Sequence, residues 1–136
     1  MSTIAIQRVE NLFVVIVALV VAVLWYPSWW WVLFAAFLAF DLSAIGYLRS
    51  PRAGAACYNS VHTYVWPGAL AVLAISTAGT APNLSMWAGI VACAWAFHVG
   101  VDRMLGFGLK LPTAFTHTHL GRIGKTTEAA STGRRL

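Results

Sequence analysis

The stretch Asn11 to Tyr26 reads NLFVVIVALVVAVLWY and contains no charged residue. At 1.5 Å per residue it covers about 24 Å, and one further turn from Ile4 to Glu10 brings it to the ~30 Å of a hydrocarbon core. Trp25, Tyr26 and Pro27 follow, where a signal peptidase needs small residues, so the run reads as a retained helix and not a cleaved leader. Three more apolar runs succeed it: Trp29 to Leu48, closing at Arg49-Ser50-Pro51-Arg52; Ala53 to Ile75, containing Pro67; and Leu84 to Leu105. Their linkers are short, which predicts antiparallel neighbours. The expected fold is all-α, an integral membrane four-helix bundle.

Composition agrees. Of 136 residues, 60% are hydrophobic and 10% charged, against roughly 25% charged in average soluble domains. A soluble domain of this length could not bury so much apolar surface, whereas a bilayer does the burying itself. Cys57 and Cys93 lie within apolar stretches without a C-x-x-C spacing and read as space-filling thiols.

The net charge of +5 would suggest nucleic acid in a soluble chain. Here the basic residues mark topology and anionic headgroups instead, and nucleic acid is excluded as a partner. All nine Lys and Arg fall at Arg8, at Arg49 and Arg52, or from Arg103 onward, and the connections at Pro27-Ser28 and Ser76 to Asn83 carry none. The positive-inside rule puts both termini and the middle loop in the cytoplasm. Trp25, Tyr26, Trp29, Trp30 and Trp31 form an aromatic belt on the outer side. The fourth helix should end near Gly106, where two glycines and Pro112 follow. Thr113 to Gly124 then lies along the inner surface as a cap, completing a transmembrane domain over 1–124 with a basic, flexible tail over 125–136.

Five polar residues interrupt the apolar runs: Asp41, Asn59, His62, His98 and Asp102. A charge at a helix centre costs about 2.5–3.5 kcal/mol on insertion scales, so each needs a partner or a reason. Counted from the nearest cytoplasmic arginine, Asp41, Asn59 and His62 lie roughly 10–15 Å deep. His98 and Asp102 precede Arg103 closely, so all five fall in the cytoplasmic half. Asn59 and His62 are three apart and His98 and Asp102 four apart, so each pair shares a helix face. The faces read Asn59, His62, Trp66 and Trp95, His98, Asp102, and Asp41 shares one with Phe34, Phe37 and Leu48. Glu10 starts at the same level. Each residue alone has a plain structural reading: Asp41 paired with Arg52 or Arg103, the histidines and Asn59 as interhelical hydrogen bonders, and Asp102 as helix-end solvation. A bundle needs one or two such contacts, not five at one depth, and a single polar chamber accounts for them together. His117 and His119 in Thr-His-Thr-His face one way only in extended chain, and His119 could close the chamber if the cap folds under the bundle.

The segments Val9-Glu10-Asn11-Leu12, Asp41 to Tyr47, Tyr58 to Tyr64, His98 to Arg103, Leu105 to Lys110 and Thr118 to Gly121 resemble the small bacterial membrane-protein family catalogued as domain of unknown function 4260. The resemblance runs from about Arg8 to Gly124. It implies a four-helix unit of the bacterial inner membrane with no assigned activity. It also marks Glu10, Asp41, Asn59, His62, His98, Asp102 and His119 as motif positions. The family pattern implies an acidic residue at position 117, where this chain has His117, which favours His119 over its neighbour.

The leading functional expectation is a metal-dependent hydrolase of a lipid or other amphiphile in the inner leaflet. Neutral imidazoles and carboxylates are the ligand set for zinc or non-haem iron. His62, His98, Asp102 and His119 are the expected ligands, Asp41 a further ligand or general base, and Asn59 a substrate-orienting group, with Tyr58 and Arg103 placed for a polar headgroup. The alternative is a non-catalytic subunit or assembly factor of a larger membrane complex or homo-oligomer, with His62 and His98 holding haem or pigment. A proton or ion carrier is a third reading, opposed by the apolar outer half of every helix.

Overall fold

The structure, a computed structural model, describes residues 2–123. The 125–136 tail lies outside the described residues. Five α-helices, α1 (Thr3–Trp25), α2 (Val32–Ala35), α3 (Pro51–Val61), α4 (Val65–Thr77) and α5 (Pro82–Leu105), are joined by a 3-10 helix, Phe37–Leu48. A two-stranded hairpin, β1 (His117–Thr118) and β2 (Gly121–Arg122), closes the C-terminal cap. Paired end to end, α2 with the 3-10 helix and α3 with α4 make two of four helical limbs. Two helices, α1 and α5, are each long and apolar enough to cross a membrane.

The ends of these helices follow from local chemistry. Ser2 and Ser50 cap α1 and α3 by accepting hydrogen bonds from Ala5 and Ala53 backbone N–H. Proline opens α3 and α5, where its missing donor costs nothing. Gly106, at φ 99°, ends α5 in the left-handed region that glycine tolerates. The expected stop near Gly106 is where the helix stops.

The second and third runs are built differently from the uniform α-helices expected. Phe37 to Leu48 winds as a 3-10 helix, which at ~2.0 Å per residue reaches about 24 Å where an α-helix of that length would reach ~18 Å. Three residues per turn also replace the expected α faces by three straight columns. Ala39, Leu42, Ile45 and Leu48 are all exposed, while the other two columns turn inward from Phe40 on. Asp41 therefore lines up with Ala44 and Tyr47, and not with Leu48, which is the most exposed large apolar side chain of the segment. The expected Ala53 to Ile75 run breaks at His62 to Tyr64. Pro67, lacking an N–H, falls in the first turn of α4, where none is needed. Trp66 accordingly leaves the Asn59–His62 face and lies half exposed, its indole N–H donating to Ser60 O at 2.7 Å.

The centre of the molecule is α5. Helices α1, α2, α4 and the 3-10 helix all pack on it, and Ile90, His98 and Val99 are among its fully buried residues. Close approach is built on small residues: Gly100 meets Val15 and Asn11 of α1, and Tyr26 hydroxyl lies in the space a side chain at Gly89 would take. The 3-10 helix is drawn onto α3 in the same way, Tyr47 ring lying over Gly54 and Gly46 facing Cys57. That contact carries Asp41 to within reach of α3.

Candidate metal centre

The break after α3 decides the geometry of the site. A helix that ends inside a bundle leaves carbonyl groups without intrahelical partners, and here side chains supply them. Trp95 indole N–H donates to Val61 O at 2.7 Å, and Arg103 guanidinium donates to His62 O at 3.1 Å. His62 Nδ1–H donates to Tyr58 O at 2.9 Å. The proton on Nδ1 fixes the tautomer and leaves the Nε2 lone pair facing the interior, the arrangement in which backbone carbonyls orient metal-binding histidines. Tyr58 ring stacks on His62 at 3.5 Å between centroids, holding its plane.

Around His62 Nε2 three further groups converge. His98 Nε2 lies at 2.9 Å, Asp102 Oδ2 at 3.4 Å and Asp41 Oδ1 at 3.5 Å. His98 Nε2 lies 3.7 Å from Asp41 Oδ1 and 3.9 Å from Asp102 Oδ2, and all four ligand atoms fall within 4.8 Å of one another. Four donors tetrahedrally disposed at zinc-like bond lengths would stand about 3.3 Å apart, so the set fits a single ion with shifts of a few tenths of an ångström in most pairs. The group could hold a metal ion. It does not fit a porphyrin, which needs its two axial nitrogens on opposite faces of a flat ring, whereas here they sit side by side with two carboxylates.

The supports around the four are equally specific. Tyr58 hydroxyl donates to Asp102 Oδ2 at 2.8 Å. Phe37 and Phe40, in one column of the 3-10 helix, pack against His98 ring at 4.7 and 5.2 Å. His98 is fully buried, and its Nδ1 has no hydrogen-bond partner among the described residues. A buried ring nitrogen left this way costs about 1–3 kcal/mol, which makes the placement of Nε2 the feature worth keeping. Asp41 differs from the rest: its side chain is 43% exposed against 12% for Asp102, so the group opens on Asp41 side.

Four of the six residues singled out in the sequence thus come together: Asp41, His62, His98 and Asp102. The expected ion pairs of Asp41 with Arg52 or Arg103 are absent among the described residues, because the 3-10 column turns the carboxylate toward the imidazoles. Asn59 lies outside the group. Its side-chain amide donates to Lys110 O at 2.9 Å and accepts from Lys110 N at 2.7 Å, pinning the cap under α3. His119 also stands apart. It occupies the two-residue loop of the hairpin, exposed against Gly108, since Asn59 holds the cap at Lys110 and the chain turns away before reaching position 119. Glu10 is exposed.

Two contributors, Asn11 and Lys110, lie outside the site residues expected from the sequence, though each is conspicuous there. Asn11, an amide at the head of an apolar run, is buried and accepts from Tyr64 hydroxyl. Lys110, between two leucines, is buried with its ammonium over the rings of Phe115 at 4.0 Å and Tyr58 at 4.9 Å. Burial holds its pKa below the usual lysine value, while Asp102 and Asp41 pull it back up. Tyr58 serves as a hydrogen-bond partner of Asp102 instead of a headgroup contact.

Comparison with curated proteins gave no match, and comparison with solved structures gave none. A family model matches residues 4–123, nearly the whole described chain. The protein belongs to the family described as domain of unknown function DUF4260.

Proposed function

We propose that the protein is a membrane-embedded hydrolase in which His62, His98 and Asp102 hold a zinc or iron ion and Asp41 acts as general base on a lipid or other amphiphile of the inner leaflet. One observation carries this reading: four ligand atoms from three helical limbs lie within 4.8 Å of one another in an otherwise apolar bundle. Three buried protein ligands and one open side are the pattern of catalytic sites, whereas four closed ligands mark structural ones. The exposed carboxylate of Asp41 faces that open side, where it can take a proton from the attacking water. When bound, the ion supplies a Lewis acid that lowers the pKa of water and polarises an ester or phosphoryl oxygen. The flanking Leu38, Leu42 and Ile45 are each exposed by more than two thirds, so the opening borders apolar surface and an amphiphile would reach it sideways.

The membrane reading rests on the same kind of evidence. Only 17% of the apolar window of α1 is buried, and its outer face presents Leu12, Phe13, Ile16 and Val20. A contiguous apolar face of this extent is not kept in water. The positions of Arg8, Arg103 and the cap at one end and the Trp25 to Trp31 belt at the other support, by the positive-inside rule, a multi-pass chain with the metal group near the cytoplasm.

The test is elemental analysis of detergent-purified protein beside His62→Ala, His98→Ala and Asp41→Asn, with hydrolysis of a short-chain chromogenic ester and of extracted membrane lipids as readouts. Stoichiometric metal lost in both histidine variants, and retained in an Asp41→Asn protein that no longer hydrolyses, is the expected result. Loss of metal in Asp41→Asn as well would make the site closed and structural. A folded, metal-free protein after metal supplementation sinks the reading.

A further inference from the structure

Helices α1 and α4 both pack on α5, and between them lies an open apolar cleft of about 330 Å³ on the side of α5 turned away from the metal group. Its walls are Val14, Val17 and Val21 of α1 and Gly68 and Ala71 of α4, over a floor that includes Ala92 and Ala96 of α5. Almost nothing polar lines it. Its inner end is closed by Tyr64, whose hydroxyl donates to Asn11. Directly beyond Tyr64 the character changes. Arg103 guanidinium lies over Tyr64 ring at 4.7 Å, and Arg8, one helical turn before Asn11, brings its guanidinium against Gly106 at the end of α5. Among the described residues neither arginine is within 4.0 Å of a carboxylate, for every such ion pair there joins a histidine to an aspartate. An apolar channel leading to two arginines that meet no carboxylate among the described residues is complementary to one kind of molecule, a long hydrocarbon chain with a negative head.

We infer that the cleft between α1 and α4 binds one acyl chain of an anionic membrane phospholipid, with the phosphate held by Arg8 and Arg103. This rests on the membrane reading above but not on the hydrolase: the cleft is separate from the metal group, and Arg103 reaches the latter only through His62 carbonyl. The bound lipid would act as a wedge that ties α1 to α4 and steadies the end of α3 that carries His62.

Gly68 supplies the decisive variant, since a side chain there meets no protein atom within 4 Å and would project into open space. Gly68→Phe projects a ring from the cleft wall, starting from a Cβ that meets no neighbour. The experiment is native mass spectrometry of the full chain released from detergent, titrated with phosphatidylglycerol or phosphatidylcholine of matched chains. Wild type is expected to retain one phosphatidylglycerol in preference to phosphatidylcholine. Gly68→Phe should lose both, and Arg8→Gln should keep chain binding but lower the preference by roughly fivefold, the weight of one basic residue at an anionic surface. Arg8 avoids the hydrogen bond that Arg103 makes to His62. Equal retention of the two lipids, or Gly68→Phe binding like wild type, overturns the proposal. A dimer that Gly68→Phe dissociates would assign the cleft to a second copy and overturn it too. A chain that an alkaline wash strips from membranes would instead remove the membrane reading itself, and the lipid site with it.

Discussion

Helices α1 and α5 are alike in length and both are apolar enough to cross a membrane, yet they play opposite parts. The apolar window of α1 has a mean hydropathy of 2.2 and is 17% buried, and that of α5 has 1.6 and is 56% buried. The more apolar helix is the peripheral one. It buries Asn11, Ala18 and Ala22 and turns Leu12, Phe13, Ile16, Val20 and Leu24 outward. The less apolar helix is central because it must accept neighbours on several sides and hold His98 and Asp102 among them. Small residues at 88, 89, 92, 94 and 100 let those neighbours approach. In a bilayer, lipid is as apolar as leucine, so packing and polar contacts decide which helix lies inside, not hydrophobicity.

The largest effects should come from the polar residues of α5 and from Tyr58 and His62 at the end of α3. His98→Ala or His62→Ala is expected to lower metal affinity by at least about 100-fold, beyond the 10–100-fold typical of losing an outer-shell partner. Tyr58→Phe, which removes only the hydrogen bond to Asp102, should fall within that 10–100-fold range. Equilibrium dialysis with zinc reads both, and a Tyr58→Phe loss equal to that of the histidines would mean that Tyr58 belongs to the ligand set.

Glycine substitutions sharpen the contrast between inner and outer faces. Gly54→Ala would set a methyl group 2.2 Å from Tyr47 Cγ, and should destabilise by about 1–3 kcal/mol as an overpacked contact. It should also loosen Asp41, because Tyr47 and Asp41 share a column. Gly68→Ala meets open space and should stabilise by up to ~1 kcal/mol through helix propensity alone. Denaturation in detergent followed by tryptophan fluorescence compares them directly; similar destabilisation by both would break the distinction drawn here.

The cap gives a smaller effect. Asn59→Ala removes both hydrogen bonds to Lys110 and is expected to cost about 1–3 kcal/mol, confined to residues 107–123. Hydrogen exchange should rise there and leave α5 protected. Lys110 adds a pH dependence of known sign. Its folded pKa is lowered by burial, with Asp102 and Asp41 opposing. Below the lowered folded value both states are protonated and the cost of burying the charge is fully present. As pH rises through the lowered folded value toward the ordinary 10.5, the unfolded chain holds the proton longer, so stability increases. Lys110→Met should abolish that rise. The smallest change belongs to the outer face of α1, where Phe13→Ala should move stability by less than about 0.5 kcal/mol.

Much of the site was legible because polar groups are conspicuous in apolar runs. Asp41, His62, His98 and Asp102 stood out by cost alone, and the spacing of four put His98 and Asp102 on one face of α5, whereas the helix break at His62 parted Asn59, His62 and Trp66. Asn59 stood out for the same reason but serves the cap, and His119 was grouped with the others by residue type when its loop points elsewhere. Depth along a helix says at what level a residue lies, not toward which neighbour it turns.

The sequence by itself determined the stops at Pro27, at the Arg49 to Arg52 turn and at Gly106, and the clustering of charge at one end, because burial cost and backbone restriction act residue by residue. Tertiary structure alone decided that Phe37 to Leu48 winds three to a turn and that the third run breaks at His62. It also decided that α5 is central and that Asn11 meets Tyr64. Each depends on fit between surfaces distant in the chain. The 3-10 column can form only where α3 offers Gly54 to Tyr47, and the free carbonyls of Ser60, Val61 and His62 are tolerable only where Trp66, Trp95 and Arg103 stand ready to donate to them.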